Sequence, residues 1–150
     1  TRGTGMMNRL FLGYQPWAGH IEGRRNGSLI SNADGEAIQY ALFYLQERGT
    51  LFVDPGVKVY VGLILGEHSR DNDLEVNPIK EKKLTNIRAA GKDEALLLTP
   101  PRRMSLEQAI AYIEEDELVE VTPSAIRLRK RYLDPHERKK HARRSESAAA

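Results

Sequence analysis

Apolar residues recur along this chain in two rhythms, and each predicts a different kind of element. Within residues 36–47, Ile38, Ala41, Leu42 and Leu45 fall at i, i+3, i+4 and i+7, the spacing of one helix face. Asn32 or Asp34 can cap that helix and Gly49 can end it. Tyr40, Phe43 and Tyr44 widen its apolar face as packing residues. Leu106, Ala109, Ile110 and Ile113 repeat the pattern up to about Glu115. Ser105 and Gln108 stand three apart just before it, as a capping box requires.

The second rhythm has a period of two. Val57, Val59 and Val61 alternate with Lys58 and Tyr60, which predicts a half-buried strand through residues 57–65. Residues 63–65 are apolar on both faces and belong at the centre of a sheet. Shorter strands are predicted at 6–14, 28–31, 51–53 and 95–98. Residues 118–121 and 125–130 flank Thr122-Pro123-Ser124 as a β-hairpin, with Ile126 and Leu128 inward and Arg127 and Arg129 outward. Two arginines two residues apart on a strand share one face, which makes a phosphate-facing pair. Asp134 followed by Pro135 opens a basic helix to about Arg144, with a disordered 145–150 beyond it. The predicted fold is α+β: a mixed or barrel-like β-sheet, two main amphipathic helices, one long loop and a basic C-terminal helix.

Between the apolar runs lies residues 66–101, and from His68 to Asp93 neither rhythm holds. Loops of that length in small domains are functional or disordered. This one carries His68, Arg70, Lys80, Lys82, Lys83, Arg88 and Lys92, with Asn72, Asn77, Thr85 and Asn86 as neutral hydrogen-bonders. Arginine forks and lysine point charges on such a segment suit a phosphate backbone. A solvated surface loop fits equally well, because Asp71, Asp73, Glu75, Glu81, Asp93 and Glu94 are interspersed.

Charge sharpens this picture. The net charge over 150 residues is only +2, but residues 125–150 hold nine Lys and Arg against three acids. That segment is therefore +6, leaving −4 for residues 1–124. A basic tail on a mildly acidic body points to a polyanionic partner. The absence of cysteine excludes disulfides and thiolate metal sites. No apolar run reaches the length of a bilayer span, and residues 1–14 lack signal-peptide architecture. Thr1 is not an initiator Met, so the chain reads as a fragment or a processed product. There is no GxxxxGK[ST], and His20, His68, His136 and His141 have no metal-ligand spacing. His68, Ser69 and Asp71 are too local for a catalytic triad, and nothing in these 150 residues argues for catalysis or a small-molecule substrate.

Several stretches together resemble the C-terminal part of the TypA/BipA family of translational GTPases, relatives of elongation factor G and LepA. They are TRGTG at the start, RRNGSLISN (24–32), ALFYLQERGTLFVDPG (41–56), GEHSRDNDLEVN (66–77), KKLTNIRAAGKDE (82–94) and DELVEVTPSAIRLRKR (116–131). The resemblance covers nearly the whole chain. It implies three parts: residues 1–25 as the last strand and linker of a module like domain V of elongation factor G, residues 26–134 as the family-specific C-terminal domain, and residues 135–150 as basic helix and tail. In the family that domain reaches toward the peptidyl-transferase centre, and its long loop contacts the acceptor arm of A-site tRNA and large-subunit rRNA.

By that resemblance His68, Arg70, Lys80, Lys82, Lys83, Asn86 and Arg88 inherit an RNA-contacting role, beside the outward Arg127 and Arg129 and the neighbouring Lys130. GTP and Mg2+ would belong to a domain this chain lacks, so no cofactor is expected here. The implied partners are the ribosome, its rRNA and A-site tRNA, in the cytoplasm and away from membranes. The strand at 6–14 would have lost its sheet, making a dimer through that orphan strand a possible outcome. The alternative function is a protein–protein interaction domain whose basic tail binds acidic protein surfaces.

Overall fold

The computed structural model describes residues 8, 10–14, 16, 24–81 and 96–149. In chain order the elements are β1 (Ser28–Ser31), β2 (Gly35–Glu36), α1 (Gln39–Leu45), β3 (Gly49–Leu51), β4 (Lys58–Val59), β5 (Ile64–His68), β6 (Leu74–Val76), α2 (Leu106–Tyr112), β7 (Glu117–Val121), β8 (Ile126–Lys130) and α3 (Pro135–Ala149). The fold is α+β, as its two apolar rhythms predict. Among the described residues no sheet closes into a barrel, and the largest is an open four-stranded sheet ordered β3-β5-β1-β6.

Residues 63–65 do sit centrally, since β5 pairs antiparallel with both β3 and β1. Alternation along them sends neighbours to opposite faces. Leu63 and Leu65 pack with Leu29, Leu42, Leu45 and Val76 on the face that α1 covers. Ile64 packs with Ala109 of α2 and Leu128 of β8 on the other. The single apolar run therefore makes two half-cores. The hairpin β7–β8 is bound to the sheet through a bridge between Leu63 and Arg129 and a bond from Lys130 N to Gly62 O, 2.9 Å.

Several expectations are corrected. The strand at 57–65 is broken at residues 60–62, where Gly62 takes a φ of +88° and Val61 N donates to Asp34 Oδ1 at 2.9 Å. Asp34 is thereby occupied, and α1 starts later, at an Ile38 N-cap with no side-chain bond. Gly49 is not a helix cap but the first residue of β3, where its lack of a side chain lets the Glu67 carbonyl approach. The aperiodic stretch from His68 contains β6, which pairs parallel with β1. Leu74 and Val76 carry its alternation, too short to stand out among charges. Residues 96–98 form no strand; the Leu96 and Leu97 carbonyls accept from the side chains of Gln39 and Gln46. Residues 10–14 form none either, and Leu10, Phe11, Leu12 and Tyr14 are exposed. The capping box at Ser105 and Gln108 and the 117–130 hairpin form as expected, but Ile126, expected inward beside Leu128, is 39% exposed at the start of its strand. The helix after Asp134 continues past Arg144 to Ala149.

Candidate nucleic-acid interface

Strand parity decides which basic residues of β8 can meet a ligand. Leu128 faces the core, so Lys130, two residues on, faces it too, and only 2% of its surface is exposed. Its ammonium lies 2.7 Å from Asp73, 2.9 Å from Asp116 and 3.0 Å from Glu117. Glu117, also 2% exposed, accepts both arms of the Arg24 guanidinium at 3.0 and 2.8 Å and the Ser28 hydroxyl at 2.8 Å. Asp73 uses its other oxygen to accept from Ser28 N at 2.7 Å. One buried charge network thus joins β1, the turn before β6, and both hairpin strands.

The network shifts its own members. Burial pushes the Glu117 carboxyl upward, but bonds from Arg24 and the Lys130 charge outweigh it and hold the group below the usual glutamate range. Burial alone would lower Lys130, yet Asp116, Asp73 and Glu117 raise it above an ordinary lysine. Both stay charged through the neutral range. The expectation that Lys130 contacts a phosphate is therefore corrected: its donors are consumed inside the protein.

His68 is likewise internal, 5% exposed at the end of β5. Its Nδ1 lies 2.6 Å from the Asn72 carbonyl oxygen, the geometry of an N–H donating across the turn. It shapes the turn instead of presenting a ring to solvent. Arg70 in that turn and Lys80 beyond β6 are exposed. Arg127 and Arg129 share the outer face of β8 and are half-buried. Arg127 lies 3.9 Å from Glu120, which also accepts the Tyr60 hydroxyl, and Arg129 donates to the Lys130 carbonyl at 3.4 Å. Lys82, Lys83, Asn86 and Arg88 lie outside the described residues.

One feature was not singled out from the pattern, and a second was seen only in outline. A groove of about 830 Å³ runs between the sheet and the hairpin, walled by Phe52, Ile64 and Leu128 and edged by Arg102 and Arg103. On α3, Lys139, Lys140, Arg143 and Arg144 are all exposed. The signal for α3 was present as the run of basic residues, but it registered as bulk charge without a face. Among the described residues no group of three or more His, Asp or Glu is placed to hold a metal ion, and no helix is long and apolar enough to cross a membrane.

Residues 26–135 match the family model for the TypA/BipA C-terminal domain. The chain is 53% identical over 150 residues to the large ribosomal subunit assembly factor BipA of Haemophilus influenzae, covering 99% of this chain and 24% of that protein. It is 53% identical over 141 residues to the protein of that name in Escherichia coli K12 (93% and 23% covered) and 48% identical over 149 residues to that of Bacillus subtilis (99% and 24%). The chain thus spans about a quarter of the length of these relatives.

Proposed function

This chain belongs to the TypA/BipA C-terminal domain family, and from that premise we propose that it is a ribosome-binding module of a cytoplasmic translational GTPase. Its partners are large-subunit rRNA and A-site tRNA, and GTP binding and hydrolysis fall to regions outside these 150 residues. Residues 1–25 are a linker from a preceding module, 26–134 the docking domain and 135–150 a basic extension. The observation that carries this reading is the separation of charge in the fold. Lys130 and Arg24 are neutralised internally, while Arg70, Lys80, Arg127 and Arg129 remain at or near the surface. With Lys82, Lys83, Asn86 and Arg88 these are the RNA-facing groups, and His68 and Lys130 support them from within. Phosphate contacts of this kind release counterions, so affinity falls by orders of magnitude between about 50 and 200 mM salt when several are made.

The test is co-sedimentation with isolated large ribosomal subunits across a salt series, with and without Arg70, Lys80, Lys82, Lys83 and Arg88 changed to Ala. Salt-sensitive binding that the variant loses while its circular dichroism is unchanged is the expected outcome. Binding that ignores both salt and the variant would overturn the proposal in favour of a protein partner for the basic tail.

A further inference from the structure

Helix α3 lacks what ordinarily holds a helix on a domain. Of its residues with described side chains, Pro135 alone is apolar. A helix polar all round gains nothing from core packing. α3 is fixed instead at its root. Asp134 Oδ1 accepts from His136 N at 2.6 Å. The Arg138 guanidinium donates to the Tyr132 and Leu133 carbonyls at 3.0 and 2.6 Å and to Glu75 at 3.0 Å. The His141 ring stacks on Tyr132 with centroids 4.0 Å apart and planes 8° from parallel. Leu133 itself lies on Gly62, where an added Cβ would come within 2.7 Å of its Cδ2.

That root consumes one side of the helix. His136, Lys139, Lys140, Arg143 and Arg144 line a shallow surface of about 530 Å³ on another. At ~100° per residue these five positions fall within about 140° of arc, and they extend along about 12 Å of axis. We infer that this face of α3 binds the phosphate backbone of double-helical RNA, as an element separate from the 68–93 segment. The inference rests on the ribosome-binding reading and deepens it.

The chemistry favours RNA over an acidic protein. A helix that docks on protein presents apolar anchors at i, i+3, i+4 and i+7, and the centres of protein interfaces are depleted of lysine. Among the described side chains, this face is lined by four cations and one histidine ring, with Glu137 at its edge. Phosphates ask for little else. Double-helical RNA is favoured over single strands because unpaired bases are held by stacking on aromatic rings, and Tyr132 and His141 are already stacked on each other. A-form RNA is recognised through shape and phosphates more than through sequence. A helix clamped at its root arrives with little orientational freedom left to lose on binding.

The experiment is fluorescence anisotropy of the 150-residue chain with two unrelated RNA duplexes of about 16 base pairs, a length that spans two successive minor grooves, across the salt range above. Both duplexes should bind alike. Changing Lys139, Lys140, Arg143 and Arg144 to Gln should lower the slope of log K against log salt by about 3, as four lost contacts at roughly 0.7–0.9 each require. Exchanging each Lys for Arg and each Arg for Lys should restore it. An unchanged slope in the Gln variant, tighter binding of single strands, or displacement of the duplex by poly-glutamate at equal charge would each overturn the inference. Co-sedimentation with large subunits separates the two levels: subunit binding that survives in the Gln variant without duplex binding by the wild type overturns the role of α3 alone. Absence of subunit binding at low salt overturns the broader reading.

Discussion

Removing the Glu117 carboxylate should damage this fold more than removing the ammonium it faces. In Glu117→Ala, the Arg24 side chain, 6% exposed, keeps the Asn26 carbonyl at 2.6 Å from its Nε, Glu114 at 3.7 Å and the face of Tyr112 at 4.5 Å, and both terminal nitrogens lose their acceptor. Its guanidinium is left buried with only the longer Glu114 ion pair, and breaking a buried pair from one side costs about 3–5 kcal/mol. The Ser28 hydroxyl loses its acceptor as well. In Lys130→Met the stem's volume remains and the charge goes. Asp73 and Asp116 have side chains 39% and 55% exposed and can rehydrate, while Glu117 keeps Arg24 and Ser28. That change should cost about 1–2 kcal/mol, in the range of ordinary lost hydrogen bonds. Urea unfolding followed by circular dichroism reads both. With a slope of about 2 kcal/mol per molar, the Glu117 variant should shift the midpoint down by about 2 M and the Lys130 variant by less than about 1 M. A loss below about 1 kcal/mol for Glu117→Ala, or a larger loss for Lys130→Met, would refute the view that Glu117 is the centre of the network.

Further outcomes follow from the same structure. Because Glu117 is held below its unfolded value of about 4.3, the stability it contributes is complete above that pH and is lost as pH falls through the lower folded value; midpoints measured from pH 7 to 3 should drop, and Glu117→Gln should flatten the drop. Lys130 carries the opposite sign: its raised folded value keeps its contribution complete below about pH 10.4, so only strong alkali should remove it. Tyr112 has a buried hydroxyl with no hydrogen-bond partner among the described residues, so Tyr112→Phe should leave stability unchanged or raise it by up to about 1 kcal/mol; a loss of that size in thermal unfolding would show a hidden partner. Gly49→Ala should cost more than Gly56→Ala. Gly49 faces the Glu67 carbonyl, whereas Gly56, with a φ of +80° and open space around it, bears only the backbone strain of about 1 kcal/mol. Equal losses in urea titrations would contradict that placement.

The sequence by itself determined the local elements whose physics is local. The capping box at Ser105 and Gln108 needs only residues three apart. The hairpin at 117–130 needs only a turn and two alternating runs. The start of α3 at Asp134 and Pro135 needs only one carboxylate and one fixed φ. The TypA/BipA resemblance was legible because its motifs are long contiguous strings. Tertiary structure decided what depends on partners distant in the chain. Asp34 reads as a helix cap but is taken by Val61, 27 residues away. β6 is too short to announce itself and exists because β1 offers a parallel edge. Lys130 looks, in the run Arg127 to Arg131, like one more surface cation. It is buried because Leu128 sets the parity of its strand, and because Asp73, Asp116 and Glu117 converge on it from three segments. Charge is written in the sequence, but whether a charge meets solvent or another side chain is settled by packing, since only there do desolvation and long-range pairing act together.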